Sequence, residues 1–206
     1  MKQVWATVAM GLALASSAGA AVSIGDRLEP FTLADAVSGK DVDLKAAGGE
    51  KATVLMFIAT QCPVSNAYNE RMAAVAKDYA GKGVAFLGIN SNSTEPVEEI
   101  AAHAKKHGFS FPVLKDTNNV QADFFGASHT PEIYVYDAGW RLRYHGSIDD
   151  SQNVGAVKTT GLRNALDALV AGKDVAVAET RAFGCSIKRV ARASAAAKAD
   201  EAKTAK

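Results

Sequence analysis

The chain has 206 residues, of which 48% are hydrophobic and 22% are charged. This composition suits one globular domain with a sizeable core and excludes a disordered or membrane-embedded chain. The 23 Lys and Arg residues nearly balance the 22 Asp and Glu residues, so no basic surface for nucleic acid is predicted. Two cysteines, Cys62 and Cys185, are too few to hold a small disulfide scaffold together.

The first 20 residues have the pattern of a secretory signal. One basic residue, Lys2, precedes an apolar stretch from Val4 to Ala15, and small residues lead to Ala20. The stretch is shorter than the ~20 apolar residues that a membrane-spanning helix needs. We expect residues 1–20 to be a signal peptide, and an exported protein, periplasmic or secreted, with no stable membrane insertion after cleavage. An uncleaved anchor is the alternative.

The most informative stretch is Thr53–Ser65, with the sequence TVLMFIATQCPVS. Val54–Ile58 is a short apolar run that predicts a buried parallel strand. A small polar corner follows, then Cys62 and Pro63, and proline favours the first position of a helix. Unpaired N–H groups and the helix dipole stabilise a thiolate at such a place. Cys62 is therefore predicted to be a nucleophile, and a small buried core residue is the alternative.

The rest of the chain alternates between strand and helix patterns. Asp41–Leu44 alternates polar and apolar residues as an edge strand does. The helix from Pro63 is predicted to run to Gly81, before a second buried strand at Val84–Ile89, and this order implies a right-handed parallel crossover. Apolar spacing predicts the later elements: a helix at Val97–Ala104, an extended piece at Phe111–Leu114, a helical turn at Val120–Phe125, a hairpin of Ile133–Tyr136 and Leu142–Tyr144 turning at Gly139, and a helix at Leu162–Val170.

The segment FIATQCPVS resembles the active-site segment of the thioredoxin-like redoxins, where an apolar strand and Ala-Thr precede Cys-Pro-x-Cys at a helix start. The run Gly184–Lys188 resembles a peroxiredoxin-like subgroup of the AhpC/TSA-type redoxins. The resemblance implies an α/β protein with the thioredoxin fold, a mixed central sheet flanked by helices, an N-terminal β-hairpin and an inserted helix. A redoxin domain is expected over residues 21–185, followed by a basic Ala/Lys-rich tail at residues 186–206, expected to be disordered.

The same resemblance implies roles for particular residues. Cys62 would act as the nucleophile, with Thr60 of the Ala-Thr pair and Ser65 beside it as further catalytic-site residues. His129, Thr130 and Pro131 would bind substrate, because the family places a cis-proline opposite the catalytic cysteine. With Pro131 cis, the backbone at Thr130 would pair with an extended substrate segment that carries a cysteine. The sequence itself does not distinguish this from an ordinary proline at a strand start.

Three departures from the family patterns bear on the activity. The Pro-x-x-x-Thr-x-x-Cys signature of peroxiredoxins is absent, because Leu55 and Ala59 stand at its proline and threonine positions. Met56 stands where dithiol thioredoxins have an acid, and Ser65 replaces their second cysteine. A Cys-x-x-Ser site can form a mixed disulfide but cannot expel the partner by itself.

Cys185 is the internal candidate for that second step. As a resolving thiol, it would be delivered to Cys62 by a C-terminal segment. The alternative is a permanent bridge between Cys62 and Cys185, which closes a very long loop and is worth about 4–5 kcal/mol in the chain-entropy model. Both interpretations remain open from the sequence.

The sequence therefore predicts an exported thiol-disulfide oxidoreductase with one nucleophilic cysteine, resolved by a C-terminal cysteine or by an external thiol. Its partners would be thiols or disulfides of a protein or small molecule, with an external thiol reductant as a further partner. A thiol peroxidase and a non-enzymatic metal- or thiol-binding carrier are the alternatives. No cofactor is expected.

A metal site receives little support from the spacing. Glu99, His103 and His107 recur every four residues, but no third strong ligand follows from the pattern, and no metal is predicted. His129 would tune the Cys62 thiolate or, in the carrier alternative, share a copper or zinc ion with it. Two arginines of the hairpin, Arg141 and Arg143, are interpreted either as groups near the thiol or as exposed strand charges.

Overall fold

The computed structural model describes residues 21–191. The predicted signal peptide at residues 1–20 and residues 192–206 of the predicted tail lie outside the described residues. The strands are β1 (Thr32–Ala34), β2 (Asp41–Asp43), β3 (Ala52–Phe57), β4 (Val84–Asn90), β5 (Val113–Lys115), β6 (His129–Thr130), β7 (Glu132–Asp137), β8 (Leu142–Gly146) and β9 (Cys185–Ser186). The α-helices are α1 (Leu44–Ala47), α2 (Pro63–Ala67), α3 (Asn69–Tyr79), α4 (Val97–Lys106), α5 (Val120–Phe125) and α6 (Gly161–Val170).

The strand β3 lies at the centre of a five-stranded sheet with the order β5-β4-β3-β7-β8. The strands β3, β4 and β5 are parallel, and β7 runs antiparallel to both β3 and β8. All six residues of β3 are buried, as expected for a strand covered on both faces. The predicted α/β class with a mixed sheet is confirmed, together with the N-terminal hairpin β1–β2 and an additional helix, α5.

Alternate residues of β3 enter two separate apolar clusters, one on each face of the sheet. Val54 and Met56 belong to the cluster that includes residues of α3 and α6. Leu55 and Phe57 belong to the cluster that includes Phe125 of α5 and the strand residues of the opposite face. Because both faces are filled, the end of β3 is fixed in position, and this is the end that leads to Cys62. No helix among residues 21–191 is both long and apolar enough to cross a membrane.

The helix predicted to follow Pro63 is interrupted at Tyr68, which separates α2 from α3. The Tyr68 N–H donates to the Ser65 carbonyl at 3.0 Å, a tight turn that replaces regular α-helical bonding. The Tyr68 side chain is buried, and its hydroxyl donates to Asp149 at 2.8 Å. The Arg71 guanidinium lies 3.7 Å from the centre of the Tyr68 ring. Long-range contacts thus hold this residue in a position that the helical spacing did not indicate.

Two further sequence expectations are corrected by the structure. The β7–β8 turn was expected to depend on Gly139, but the left-handed residue is Trp140, with φ of 59°. The Asp137 carboxylate supports the turn by accepting the N–H groups of Gly139 and Arg141 at 2.9 and 3.0 Å. The disordered tail was expected to begin at residue 186, yet Ile187 is buried and the backbone of Ile187, Lys188 and Val190 is hydrogen-bonded to the domain. The domain therefore extends beyond Cys185, because this segment finds backbone partners that composition does not show.

Candidate functional site

Cys62 is the N-cap residue of α2, between the end of β3 and Pro63 at the helix start. Its Sγ accepts a hydrogen bond from the Ser65 N–H at 3.2 Å. The residue is only 4% exposed. The strand fixes the corner from one side and the proline begins the helix on the other, so the sulfur faces unpaired helix N–H groups. Once reduced, a sulfur in this place is favoured as a thiolate.

Cys62 and Cys185 are joined in a disulfide whose Cα atoms lie 5.8 Å apart. The two residues are separated by 123 positions in the chain. The carbonyl oxygen of Thr130 lies 3.3 Å from the Cys62 sulfur. Three distant segments, those of Cys62, Thr130 and Cys185, therefore meet at one sulfur–sulfur bond.

The loop before β7 has the geometry that the resemblance implied. The Thr130–Pro131 peptide bond is cis. The short strand β6 pairs antiparallel with β9, so that Thr130 lies opposite Cys185 and His129 lies opposite Ser186. The backbone that was expected to pair with a substrate is thus paired with the C-terminal segment of the same chain.

Ser65 and Thr60 contact the cysteine corner in different ways. Ser65 is fully buried, and its hydroxyl oxygen accepts the Ala59 N–H at 3.2 Å. The Thr60 hydroxyl instead donates to Glu99 on α4, while the Thr60 carbonyl accepts a hydrogen bond from the Asn66 side chain at 2.8 Å. Both residues therefore hold the shape of the corner, and their predicted catalytic roles stay predictions.

Sequence reasoning missed Glu95, the buried carboxylate beneath the cysteine corner. It accepts the N–H groups of Thr60 at 2.8 Å and Gln61 at 3.1 Å, the two residues that precede Cys62. The side-chain amides of Asn90 and Asn92 donate to it at 2.5 and 2.7 Å. Burial by itself raises the pKa of Glu95, but these hydrogen bonds outweigh burial and lower the pKa below its usual range.

A signal for this cluster was present in the sequence. Asn90 is the last residue of the buried strand β4, directly beside the end of β3, and Asn92 and Glu95 follow it. Polar residues at the carboxyl ends of neighbouring parallel strands meet at one edge of the sheet. Lys115, at the end of β5, completes the edge, because its ammonium donates to the carbonyl oxygens of Asn92 and Glu95 at 2.7 and 2.9 Å.

A second buried carboxylate, Glu132, supports the cis-proline loop. It accepts the N–H groups of Ser128 and His129 at 2.8 and 2.9 Å. It also contacts the Tyr134 hydroxyl at 2.9 Å and His145 Nε2 at 2.8 Å. Burial opposes ionisation, but the bonds from His145 and from the backbone prevail and lower the pKa of Glu132. One buried carboxylate thus supports the Cys62 corner, and another supports the cis-proline loop.

The histidines that were weighed as metal ligands contact other groups. The His129 ring contacts the Ser128 hydroxyl at 2.8 Å through Nδ1. His103 Nε2 lies 2.8 Å from the Asn66 side-chain oxygen, and the rings of His103 and His107 are 4.4 Å apart. Burial is the largest cause of a lowered pKa at His103. Among residues 21–191, no group of three or more His, Cys, Asp or Glu side chains is placed to hold a metal ion.

The two hairpin arginines lie far from the disulfide. The register of β3 and β7 places Phe57 opposite Glu132 at the cysteine end, and Ala52 opposite Asp137 at the other end. Arg143 bonds to Asp137 at 3.1 Å, and Arg141 follows the same turn. The interpretation of these arginines as partners of the thiol is therefore wrong, because an antiparallel hairpin carries its turn to the far edge of the sheet.

The sheet order and the helix-capping cysteine beside a cis-proline define a thioredoxin-fold protein, and solved structures of this fold superpose with TM-scores of 0.54 and 0.57. The profile of the AhpC/TSA family matches residues 24–157, more than half of the chain. The chain belongs to the AhpC/TSA family. The superfamily expected from the sequence is thus confirmed.

Three relatives are informative. A hypothetical protein from Sinorhizobium meliloti 1021, of known crystal structure, is 36% identical, covers 84% of this chain and 98% of its own, and superposes with a TM-score of 0.77. Thioredoxin-like protein YneN of Bacillus subtilis is 32% identical over 114 residues, 55% of this chain and 65% of that protein. Thiol-disulfide oxidoreductase ResA of Halalkalibacterium halodurans is 27% identical over 122 residues, 59% of this chain and 67% of that protein. The chain thus matches about two thirds of the length of these two curated relatives.

Proposed function

We propose that this protein is a thiol-disulfide oxidoreductase in which Cys62 is the nucleophile and Cys185 resolves the mixed disulfide. The observation that carries the proposal is the disulfide between a helix-capping cysteine and a C-terminal cysteine, formed beside Thr130 and a cis-proline. Similarity to a thiol-disulfide oxidoreductase supports it. Thiols and disulfides of proteins or small molecules are the proposed partners.

The proposed reaction uses a dithiol as the electron donor. A dithiol gives two electrons and two protons to the Cys62–Cys185 bond, becomes a disulfide itself and leaves two thiols on this protein. The Cys62 thiolate then attacks a substrate disulfide, forms a mixed disulfide and expels one substrate sulfur as a thiolate. Cys185 next attacks Cys62, releases the second substrate thiolate and restores the internal disulfide. Ser65 lacks a thiol, so this last step falls to Cys185.

The internal disulfide is reachable from solvent. A cleft of about 160 Å³ borders both cysteines, with Gln61, Thr94 and Lys188 at its walls. Cys185 is less buried than Cys62. A reducing thiol therefore has an approach to the bond, and attack at Cys185 would leave Cys62 as the departing thiolate, which the helix N-terminus stabilises.

The first test is differential alkylation of the reduced protein. Iodoacetamide should label Cys62 faster than Cys185 at neutral pH, because only Cys62 accepts a helix N–H. Mass spectrometry of labelled peptides measures both rates. Equal labelling rates with a midpoint near the unperturbed thiol value of about 8.5 would contradict the assignment of Cys62.

The second measurement is the intact mass of the Cys185→Ser variant after oxidation with glutathione disulfide. A stable adduct of one glutathione at Cys62 is expected, because no resolving thiol remains. The wild-type protein under the same treatment should return to the internal disulfide without an adduct. Absence of an adduct in the variant, with Cys62 accessible to iodoacetamide, would contradict the proposed exchange reaction.

Thiol peroxidase activity is the second candidate, favoured by membership of the AhpC/TSA family. Turnover of hydrogen peroxide with an external thiol, lost in Cys62→Ser, would support it over disulfide exchange. The metal-carrier alternative gains nothing from the described residues, because the His129 ring contacts Ser128 rather than the site sulfurs.

We also propose that the protein is exported, on the signal-like pattern of residues 1–20. The expected mature chain begins at Ala21. Mass spectrometry of the N-terminal peptide from the native host tests this, and a chain that retains Met1–Ala20 would contradict it.

A further inference from the structure

Besides the disulfide of Cys185, a series of backbone hydrogen bonds holds the C-terminal segment at residues 184–190. Beyond the β6–β9 pairing, the Ile187 N–H donates to the Ser128 carbonyl at 3.0 Å. The backbone of Lys188 is bonded on both sides, since its N–H donates to Asn92 Oδ1 at 2.7 Å and its carbonyl accepts the Ser93 N–H at 2.8 Å. Such contacts recognise an extended peptide whatever side chains it carries.

Backbone contacts of the same kind continue at Val190, two residues further along the segment. The Val190 N–H donates to Asn119 Oδ1 at 2.8 Å. The same side chain donates through Nδ2 to the Ser91 carbonyl, so Asn119 is fixed by the loop that also carries Asn92. The partners therefore form one surface, which we call the strand groove: Asn92, Ser93, Asn119 and residues 128–130.

Apart from Arg189, whose guanidinium contacts Asp123 and the Ala127 carbonyl, the side chains of the segment matter at two positions. At Gly184, an added Cβ would collide with the carbonyl oxygen of Thr130, and φ there is 155°. The Ile187 side chain is buried in the apolar cluster that includes Phe57 and Phe125. By contrast, Ser186 and Lys188 are exposed. The groove therefore selects glycine just before the cysteine and an aliphatic residue two positions after it.

We propose that the strand groove selects the pattern Gly-Cys-x-aliphatic among extended cysteine-containing peptides, and that residues 184–190, which carry this pattern, compete with the substrate for the groove. The inference rests on the proposed function and names its substrate class. Once a dithiol has reduced the internal disulfide, the segment leaves and a peptide disulfide enters. The return of the segment expels the product, because the two occupants pair with the same backbone of Thr130.

Peptide selectivity tests the site directly. The protein is the full chain with Cys185→Ser and Ile187→Ser, in which Cys62 is the only thiol and the tethered segment is loosened. The probe is a peptide of the sequence of residues 183–191, its cysteine joined to thionitrobenzoate, and release of the coloured thiolate reports attack by Cys62. We expect this peptide to react about tenfold faster than matched peptides with alanine in place of Gly184 or serine in place of Ile187.

A small disulfide, cysteine joined to thionitrobenzoate, distinguishes a lack of peptide selection from a lack of the exchange reaction itself. If it reacts and the three peptides react at one common rate, the strand groove does not select a peptide, and the inference is wrong while the proposed function stands. If Cys62 attacks neither the peptides nor the small disulfide, the proposed function is wrong and the inference falls with it.

The alkylation rate of Cys62 measures independently whether residues 184–190 compete for the groove. In the Cys185→Ser protein, the Ile187→Ser change should raise the alkylation rate of Cys62 about tenfold, because the open groove becomes the major state. The matched change Ser186→Ala, at an exposed position of the same segment, should leave the rate within about twofold.

Arg189→Ala is the second variant, in case Ile187→Ser lowers the melting temperature too far for assay. It removes an ion pair with Asp123 at 2.7 Å, and we expect a rate increase of about two- to threefold. Unchanged alkylation in both folded variants would show that the segment does not guard the groove, which would overturn the proposal.

Discussion

The two cysteines of the internal disulfide are held by very different parts of the fold. Cys62 stands between the central strand β3 and the helix α2, and Glu95 fixes the two residues before it. Cys185 belongs to residues 171–191, a stretch of turns and loops with one two-residue strand. The groove contacts, the buried Ile187, the ion pair of Arg189 with Asp123 and the packing of Phe183 against Tyr68 tie its neighbourhood to the domain, without a helix or a long strand.

From this contrast we expect Cys62 to stay in place and the segment of Cys185 to move. Local opening favours regions with few buried contacts and short ladders. Because β9 lies outside the five-stranded sheet, detachment of the Cys185 segment would leave that sheet intact, whereas displacement of Cys62 would disturb β3. A resolving thiol must come and go, and a nucleophile must stay in place, so the two surroundings match the two proposed roles.

The largest expected effect comes from placing the second thiol on α2, close to Cys62. In a Cys185→Ser background, Ser65→Cys should restore turnover in insulin reduction with a dithiol, by about tenfold or more, because residues 62 and 65 share one helical turn. Ser65→Ala in the same background is the control, since it removes the hydroxyl without adding a thiol. Equal turnover in the two variants would show that a thiol at position 65 does not reach Cys62.

Loss of the Glu95 carboxylate beneath the Cys62 corner should lower the free energy of unfolding. Each carboxylate oxygen of buried Glu95 accepts two hydrogen bonds. Glu95→Gln replaces one of these oxygens with an NH2 group that cannot accept them, and we expect a loss of about 2–4 kcal/mol in the free energy of unfolding. The matched control is Glu98→Gln, an exposed residue three positions later, with an expected change within about 0.5 kcal/mol. Urea unfolding measures both, and equal losses would remove Glu95 from its supporting role.

The same residue gives a pH dependence with a defined sign. The pKa of Glu95 is lowered in the folded protein, so its stabilising contribution is present above the unfolded-state value of about 4.3 and is lost as the pH falls through the lower folded-state value. Between neutral and acidic pH, wild-type stability should therefore fall more than that of Glu95→Gln. A parallel decline would contradict the lowered pKa.

The smallest expected effect is the change in melting temperature when the disulfide to Cys185 is lost. Reduction with a phosphine, or Cys185→Ser, should lower the melting temperature by less than about 5 °C, because a bond that thiols reduce readily contributes little to stability. A permanent bridge would instead give about 4–5 kcal/mol in the chain-entropy model. Calorimetry with and without reductant distinguishes the two. A loss above about 10 °C, together with no glutathione adduct at Cys62, would establish a structural bridge.

The parts of the site that lie close together in the chain were predictable from the sequence. The apolar run of β3, the polar corner and the proline after Cys62 each act locally, through burial and helix geometry, so their spacing sufficed to place the thiol at a helix start. The resemblance to redoxins added the cis-proline, which local propensity does not indicate.

Tertiary contacts decided what surrounds that thiol. Glu95 lies 34 and 35 positions from the backbone that it holds, and no periodicity links such residues. The same holds for the pairing of Thr130 with Cys185, and for Ile187, whose burial keeps the segment beyond Cys185 in the domain. Polar groups find partners only where the folded sheet brings strand ends together. The sequence by itself therefore determined the place of Cys62 at the start of its helix, and only the tertiary structure decided that the chain's own C-terminal segment lies beside it.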